Sequence, residues 1–283
     1  MPGQSSRRLI LTDMVSPQAT ISSNAIARRF EALRKKNRTA LVCYVTAGHP
    51  DPARSLETLR ALEEGGADII ELGVPFSDPI ADGPIIQASS QAALEQGMNY
   101  DRALELVESA HLSVPVVLFS YLNPILAAGT DALSRAADAG VSGILVTDIP
   151  VGADPAREEW IGNGPLSFIR LVAPTTPAER MAEIARHGSG FVYLISRLGV
   201  TGVQETTAAT LPGTIERLRA ATKLPICVGF GISTPAQARR VGELADGVVV
   251  GSALVRAASN RPDAVLQLTR SLREGLDGEQ LRE

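Results

Sequence analysis

Apolar and polar residues follow one another along this chain in blocks. Eight short runs rich in Val, Ile and Leu recur at residues 40–46, 68–74, 114–121, 143–149, 167–173, 190–196, 225–229 and 246–251. Runs of this length without internal alternation suit strands covered on both faces, as in a parallel sheet. Between them lie segments with helical spacing. Residues 52–65 set Leu56, Leu59 and Leu62 on one face and stop at Gly65-Gly66, and residues 100–110 repeat the pattern with Ala103, Leu104, Leu106 and Val107. Residues 130–139, 176–187, 211–222 and 235–244 follow suit, the last opened by Ser233-Thr234-Pro235, hydroxyl caps followed by a first-turn proline. Strand and helix alternate eight times, which predicts an α/β protein built as a single (β/α)8 barrel. Residues 22–36 read as an extra helix that plugs the bottom of the barrel, and 262–276 as the last helix. The domain expected is therefore 23–276, between a weakly ordered extension, 1–22, and a fraying tail, 277–283.

Composition narrows the class. The chain has 283 residues, of which 45% are hydrophobic and 20% charged, with a net charge of -4, so electrostatics give no reason to expect nucleic acid or an anionic membrane as partner. The apolar runs fall far short of the roughly 20 residues a membrane-spanning helix needs. Cys43 and Cys227 both sit in strand-like runs, which reads as two buried thiols in a reducing, cytoplasmic setting, a disulfide between them being the minor alternative. The head reads as an extension, with an organellar leader as the alternative.

Against this background ELGVPFSDPIADGP, residues 71–84, stands out: Glu71 interrupts an apolar run where an unpaired charge is costly to bury. In a barrel Glu71 falls near the C-terminal end of the second strand, and Asp78 and Asp82 in the loop after it, on the face where barrel active sites are built. An acid at an apolar strand end has its pKa raised, which suits proton transfer near neutral pH, while an acid in a wetter loop such as Asp82 stays ionised and accepts a hydrogen bond. A structural ion pair is the rival reading for Glu71, and a turn or cap the rival for Asp78 and for Asp148 at the end of strand four.

The loops after strands seven and eight carry Gly229-Phe230-Gly231-Ile232-Ser233 and Gly251-Ser252-Ala253-Leu254. Barrels often seat a phosphate there, on backbone amides and a helix N-terminus. Neither loop contains Lys or Arg, so amides and a helix dipole would hold the anion. Ser196–Gly202, SRLGVTG, has the small residues of a lid, with a plain surface loop as its rival. His49, His111 and His187 are scattered without ligand spacing, so no metal site is expected. No nucleophile-elbow, P-loop or dinucleotide fingerprint occurs, and no Lys sits at a strand's C-terminal end to form a Schiff base.

These motifs together, with Thr46-Ala47-Gly48, LVAPTTP at 171–177 and VVGSAL at 249–254, resemble the tryptophan synthase alpha chain family over nearly the whole chain outside head and tail. The resemblance implies a cofactor-free lyase of tryptophan biosynthesis, cleaving indole-3-glycerol phosphate to indole and glyceraldehyde 3-phosphate. It implies Glu71 and Asp82 as the catalytic acids, and Gly202, Gly231, Gly251 and Ser252 as the phosphate seat. Tyr44, Tyr121 and Tyr193 would line the substrate pocket, Thr201 would close a lid on the Asp, and Asp148 would support it. Pro75 and Asp78 would face a beta chain, which carries pyridoxal phosphate in an alpha2–beta2 heterotetramer. A stand-alone indole-releasing lyase and a mainly regulatory phosphate-binding barrel are the alternatives.

Overall fold

The computed structural model describes residues 24–195, 205–229, 231–260 and 262–278. The extension 1–22, the expected lid with Thr201 and Gly202, and residues 279–283 lie outside them.

Strand order follows chain order. β1 (Ala40–Thr46), β2 (Ile69–Gly73), β3 (Val116–Ser120), β4 (Val141–Val146), β5 (Ser167–Val172), β6 (Val192–Ile195), β7 (Ile226–Gly229) and β8 (Gly247–Val250) form a closed barrel, each parallel to its neighbours, with β8 pairing back onto β1. The predicted (β/α)8 barrel is the observed one. Its strands are apolar on both faces because both are buried. Ala40, Val42, Ile69, Val117, Leu145 and Val249 point into the barrel, and their neighbours Leu41, Cys43, Ile70, Leu72 and Val248 pack outward against the helices. Period two is thus present, with both phases hydrophobic.

The helix Ala25–Lys35 begins on Asn24, whose side chain accepts the Ile26 N–H at 2.8 Å. It sets Ile26, Phe30 and Leu33 into the same inner cluster, Phe30 lying 5.9 Å from the Phe191 ring, and so closes the barrel bottom. Beside it, Asp68 at the foot of β2 takes the Arg273 guanidinium at 2.9 Å and the Leu41 N–H at 2.9 Å. Arg273 also holds Asp277, at 2.6 Å, which Arg38 grips from the other side at 2.9 Å. Asp277 closes the last helix, Pro262–Asp277, one residue beyond the predicted end.

Three helices escape the hydrophobic pattern. Pro84–Glu95 buries Ser89, Ser90 and Ala93, so its inner face is small and polar, and Ser89 meets Thr46 of β1 hydroxyl to hydroxyl at 2.7 Å. Leu122–Ala127 is a six-residue turn with Pro124 inside it. Ser252–Asn260 follows β8 directly. The helix predicted to start at Leu211 begins earlier, spanning Glu205–Ala221 through Pro212, where a proline reads in sequence as a boundary. Between β4 and β5 lies an eight-residue helix, Pro155–Gly162, capped by Asp154.

Candidate active site

A cavity of about 360 Å³ opens at the C-terminal ends of the strands. Its floor and walls are inward positions near the strand ends: Tyr44, Glu71, Phe119, Leu171, Tyr193 and Val249, from six of the eight strands. Its rim comes from three loops, carrying Asp82 and Gly83, then Gly231 and Ser233, then Gly251 and Ser252.

Glu71 is 1% exposed. Register places it between Tyr44 of β1 and Val117 of β3. Among the described residues no ion pair or hydrogen bond reaches its carboxyl, and Oε1 is buried without a partner. Burial alone pushes its pKa up to about 8, so the side chain carries its proton at neutral pH. No described residue supplies the cation that the ion-pair reading of Glu71 requires.

Asp82 is half-buried in the loop after β2. Its Oδ2 accepts the Tyr121 hydroxyl at 3.1 Å, and the same hydroxyl accepts the Ala81 N–H at 2.8 Å. The Phe76 ring lies 5.1 Å from Tyr121, so one tyrosine at the end of β3 fixes the loop at three points. Burial lifts the Asp82 carboxyl to about 6, while the bond from Tyr121 opposes the rise. Tyr121 was expected on the pocket wall. It sits behind the wall instead, 2% exposed, its hydroxyl taken up by the loop.

Tyr44 and Tyr193 do line the cavity. Each hydroxyl rests over a glycine: a β-carbon on Gly73 would collide with Tyr44, and one on Gly229 with Tyr193. These two positions must stay bare for the rings to lie across the barrel mouth. Tyr44 meets Phe119 edge to face, with centroids 5.2 Å apart, giving an aromatic wall from the two strands that flank Glu71.

Asp148 lies outside the cavity, where it accepts the Leu122 N–H at 2.8 Å and so anchors the residue after Tyr121. Its loop is held in turn by Arg170, buried on β5, which donates to Ile149 O at 3.0 Å and to Glu158 at 2.7 Å. Pro75, expected to face a partner, is buried within the chain. Asp78 is exposed and accepts the Ser77 hydroxyl at 2.6 Å. Beside it Ile80 is 86% exposed, an outward apolar residue that the sequence reading passed over.

Also missed were Thr147, Ile195 and Arg256 on the cavity wall. The first two follow from taking every second residue inward to each strand end. Arg256 lies a helical turn beyond its loop and left no loop signal. Among the described residues no group of His, Cys, Asp or Glu could hold a metal ion, and no helix is long and apolar enough to cross a membrane.

Comparison with known proteins agrees with this geometry. A family profile described as "Tryptophan synthase alpha chain" matches residues 30–278. The tryptophan synthase alpha chain of Desulfatibacillum aliphaticivorans is 48% identical over 241 residues, covering 82% of this chain and 89% of that protein. The alpha chain of Solibacter usitatus is 44% identical, covering 88% and 97%. Among solved structures, tryptophan synthase subunit alpha from Legionella pneumophila superposes with a TM-score of 0.82 at 35% identity, covering 90% of this chain and 98% of that one. An open form of tryptophan synthase from M. tuberculosis gives 0.81 at 35% identity, covering 89% and 98%. The barrel and these matches agree, and the chain belongs to the tryptophan synthase alpha chain family.

Proposed function

We propose that this chain is the lyase of the alpha reaction in tryptophan biosynthesis, splitting indole-3-glycerol phosphate into indole and glyceraldehyde 3-phosphate with no cofactor. The observation that carries the proposal is Glu71: a buried, protonated acid, without a partner among the described residues, on the wall of a cavity that Asp82 also lines.

The chemistry follows from the two environments. Glu71 delivers its proton to the indole ring carbon that bears the side chain, which makes that carbon tetrahedral and the ring cationic. Asp82, ionised, accepts the hydrogen bond of the indole N–H, which becomes more acidic as the charge develops. Glu71, now a carboxylate, takes the proton of the hydroxyl next to the breaking bond. The carbon–carbon electron pair returns to the ring, releasing indole, and the hydroxyl carbon becomes the aldehyde of glyceraldehyde 3-phosphate. One proton enters and one leaves, so the acid is regenerated. The aromatic wall of Tyr44 and Phe119 accepts the indole face, and Gly231, Gly251 and Ser252 seat the phosphate. Thr201 and Gly202 keep their roles of lid and phosphate contact as part of this proposal.

The partner we infer is a beta chain, in an alpha2–beta2 assembly in the cytoplasm. Exposed Asp78 and Ile80, on the loop that also bears Asp82, support that contact. A merely regulatory barrel would have no need of the Glu71 environment. The experiment is indole release from indole-3-glycerol phosphate by wild type and by Glu71→Gln: equal rates would end the proposal. Co-purification with a beta chain tests the assembly, and indole production with no beta chain bound in the native host would favour the stand-alone lyase.

A further inference from the structure

The cavity takes Glu71 and Asp82 from β2 and its loop, and Gly231, Ser233, Gly251, Ser252, Ala253 and Arg256 from the segments after β7 and β8. Arg256 is the one Lys or Arg among the described residues lining it. It lies one helical turn beyond Ser252 on the helix Ser252–Asn260, at the spacing that puts two side chains on the same helix face. The first helical hydrogen bonds run from the Leu254 and Val255 amides to Gly251 O, at 2.8 and 3.1 Å. The N–H groups of Ser252 and Ala253 therefore precede the bonded ladder. The Arg256 side chain is exposed and forms no ion pair among the described residues.

We propose that Arg256 is a substrate-binding residue, its guanidinium gripping the phosphoryl oxygens that the Ser252 and Ala253 amides contact from below. The assignment rests on the phosphorylated substrate read above and adds to it the group that balances its charge. Magnitudes decide the point. A phosphate monoester carries about -1.5 to -2 charges at pH 7, whereas a helix N-terminus presents only about half a positive charge. Asp82, when ionised, adds a repulsive charge within the same cavity. Amides alone would leave the phosphate undercompensated in a mouth that is otherwise acidic. A guanidinium matches two phosphate oxygens with two parallel N–H groups, and among the described lining residues Arg256 is the cation placed to offer them.

The arginine is exposed, so its replacement leaves the fold intact. The test uses the full chain as wild type, Arg256→Gln and Arg256→Lys. Binding of inorganic phosphate is measured by titration calorimetry, and cleavage of indole-3-glycerol phosphate across a series of salt concentrations. For Arg256→Gln we expect phosphate affinity to fall and KM to rise by about tenfold, the effect of one solvent-exposed charge-assisted contact, with kcat within about twofold. Arg256→Lys falls between, keeping the charge without the fork. The slope of log kcat/KM against log salt becomes shallower in Arg256→Gln, since steering by that charge is lost. Unchanged phosphate affinity, KM and salt slope in Arg256→Gln would overturn the assignment, as would a wild type that binds no phosphate. If the wild type binds phosphate through Arg256 and yet releases no indole, the lyase reading fails and the arginine stands.

Discussion

Asp68 lies at the foot of β2, one residue before it, and Glu71 lies within it; both are buried, at 4% and 1% exposure. Asp68, at the foot, receives Arg273 at 2.9 Å, Arg29 at 3.4 Å and a backbone N–H. Glu71, at the mouth, receives nothing among the described residues. The foot uses its charges in compensated pairs that tie the first helix, β2 and the last helix together. The mouth keeps an acid uncompensated, which holds its proton to about pH 8 and leaves it ready to give that proton away. Position along a barrel strand separates stability from chemistry, and this strand does both.

That contrast can be broken in several ways. The largest effect is expected from Glu71→Gln, which should lower kcat by about two to four powers of ten, the range of general acid–base catalysis. Its stability should equal or exceed wild type, because the amide removes a buried ionisable group; a destabilised Gln variant would contradict the assignment of Glu71 to the mouth. The mirror experiment is Arg273→Met. Breaking a buried pair typically costs about 3–5 kcal/mol, so denaturant unfolding should show a loss of that order. Turnover per folded molecule should hold, and a kcat that collapsed while the fold survived would blur the division.

The pH dependence sharpens the comparison. Activity requires Asp82 ionised and Glu71 protonated, so kcat/KM should fall below about pH 6 and above about pH 8. Stability carries a separate signature. The Glu71 pKa is raised by folding, so between its unfolded value near 4.5 and about 8 the unfolded chain has lost the proton that the native state keeps. Unfolding free energy should therefore decline as pH rises through that window, and the Glu71→Gln variant should lack that part of the slope.

The smallest effect is at Tyr121. Tyr121→Phe removes the donor that favours ionised Asp82, so the acid limb should move to higher pH. The loss should be roughly tenfold near pH 6 and smaller near pH 7.5, as expected for a hydrogen bond to a charged group. A uniform loss at every pH would mean that Tyr121 only shapes the loop.

Much of this was legible in the chain. The strands were readable because both phases of each are apolar, and Glu71 stood out because it broke such a run. The helix Pro84–Glu95 was not, since its buried face is Ser89, Ser90 and Ala93, which a hydrophobic pattern cannot register. The three tyrosines looked alike in sequence. Only packing reveals that Tyr44 and Tyr193 reach the cavity over bare glycines while Tyr121 turns its hydroxyl to the Asp82 loop. Pro75 was misjudged and Ile80 passed over for a related reason: prolines in a loop look exposed and isoleucines look buried, and here Pro75 is buried while Ile80 is 86% exposed. Arg256 was invisible because its relation to the loop is made by helical periodicity, one turn downstream.

The first helix sets a boundary for protein engineering. Ile26, Phe30 and Leu33 act as a cork in the lower opening of the barrel, seated against Phe191, itself two residues before Tyr193 in the pocket. A shortened gene that begins after Leu33 would admit water to the space between Val42, Cys227 and Val249, and the strand carrying Tyr193 would lose its footing from below. Fusions and trimmed versions of this enzyme should therefore keep everything from Asn24 onward.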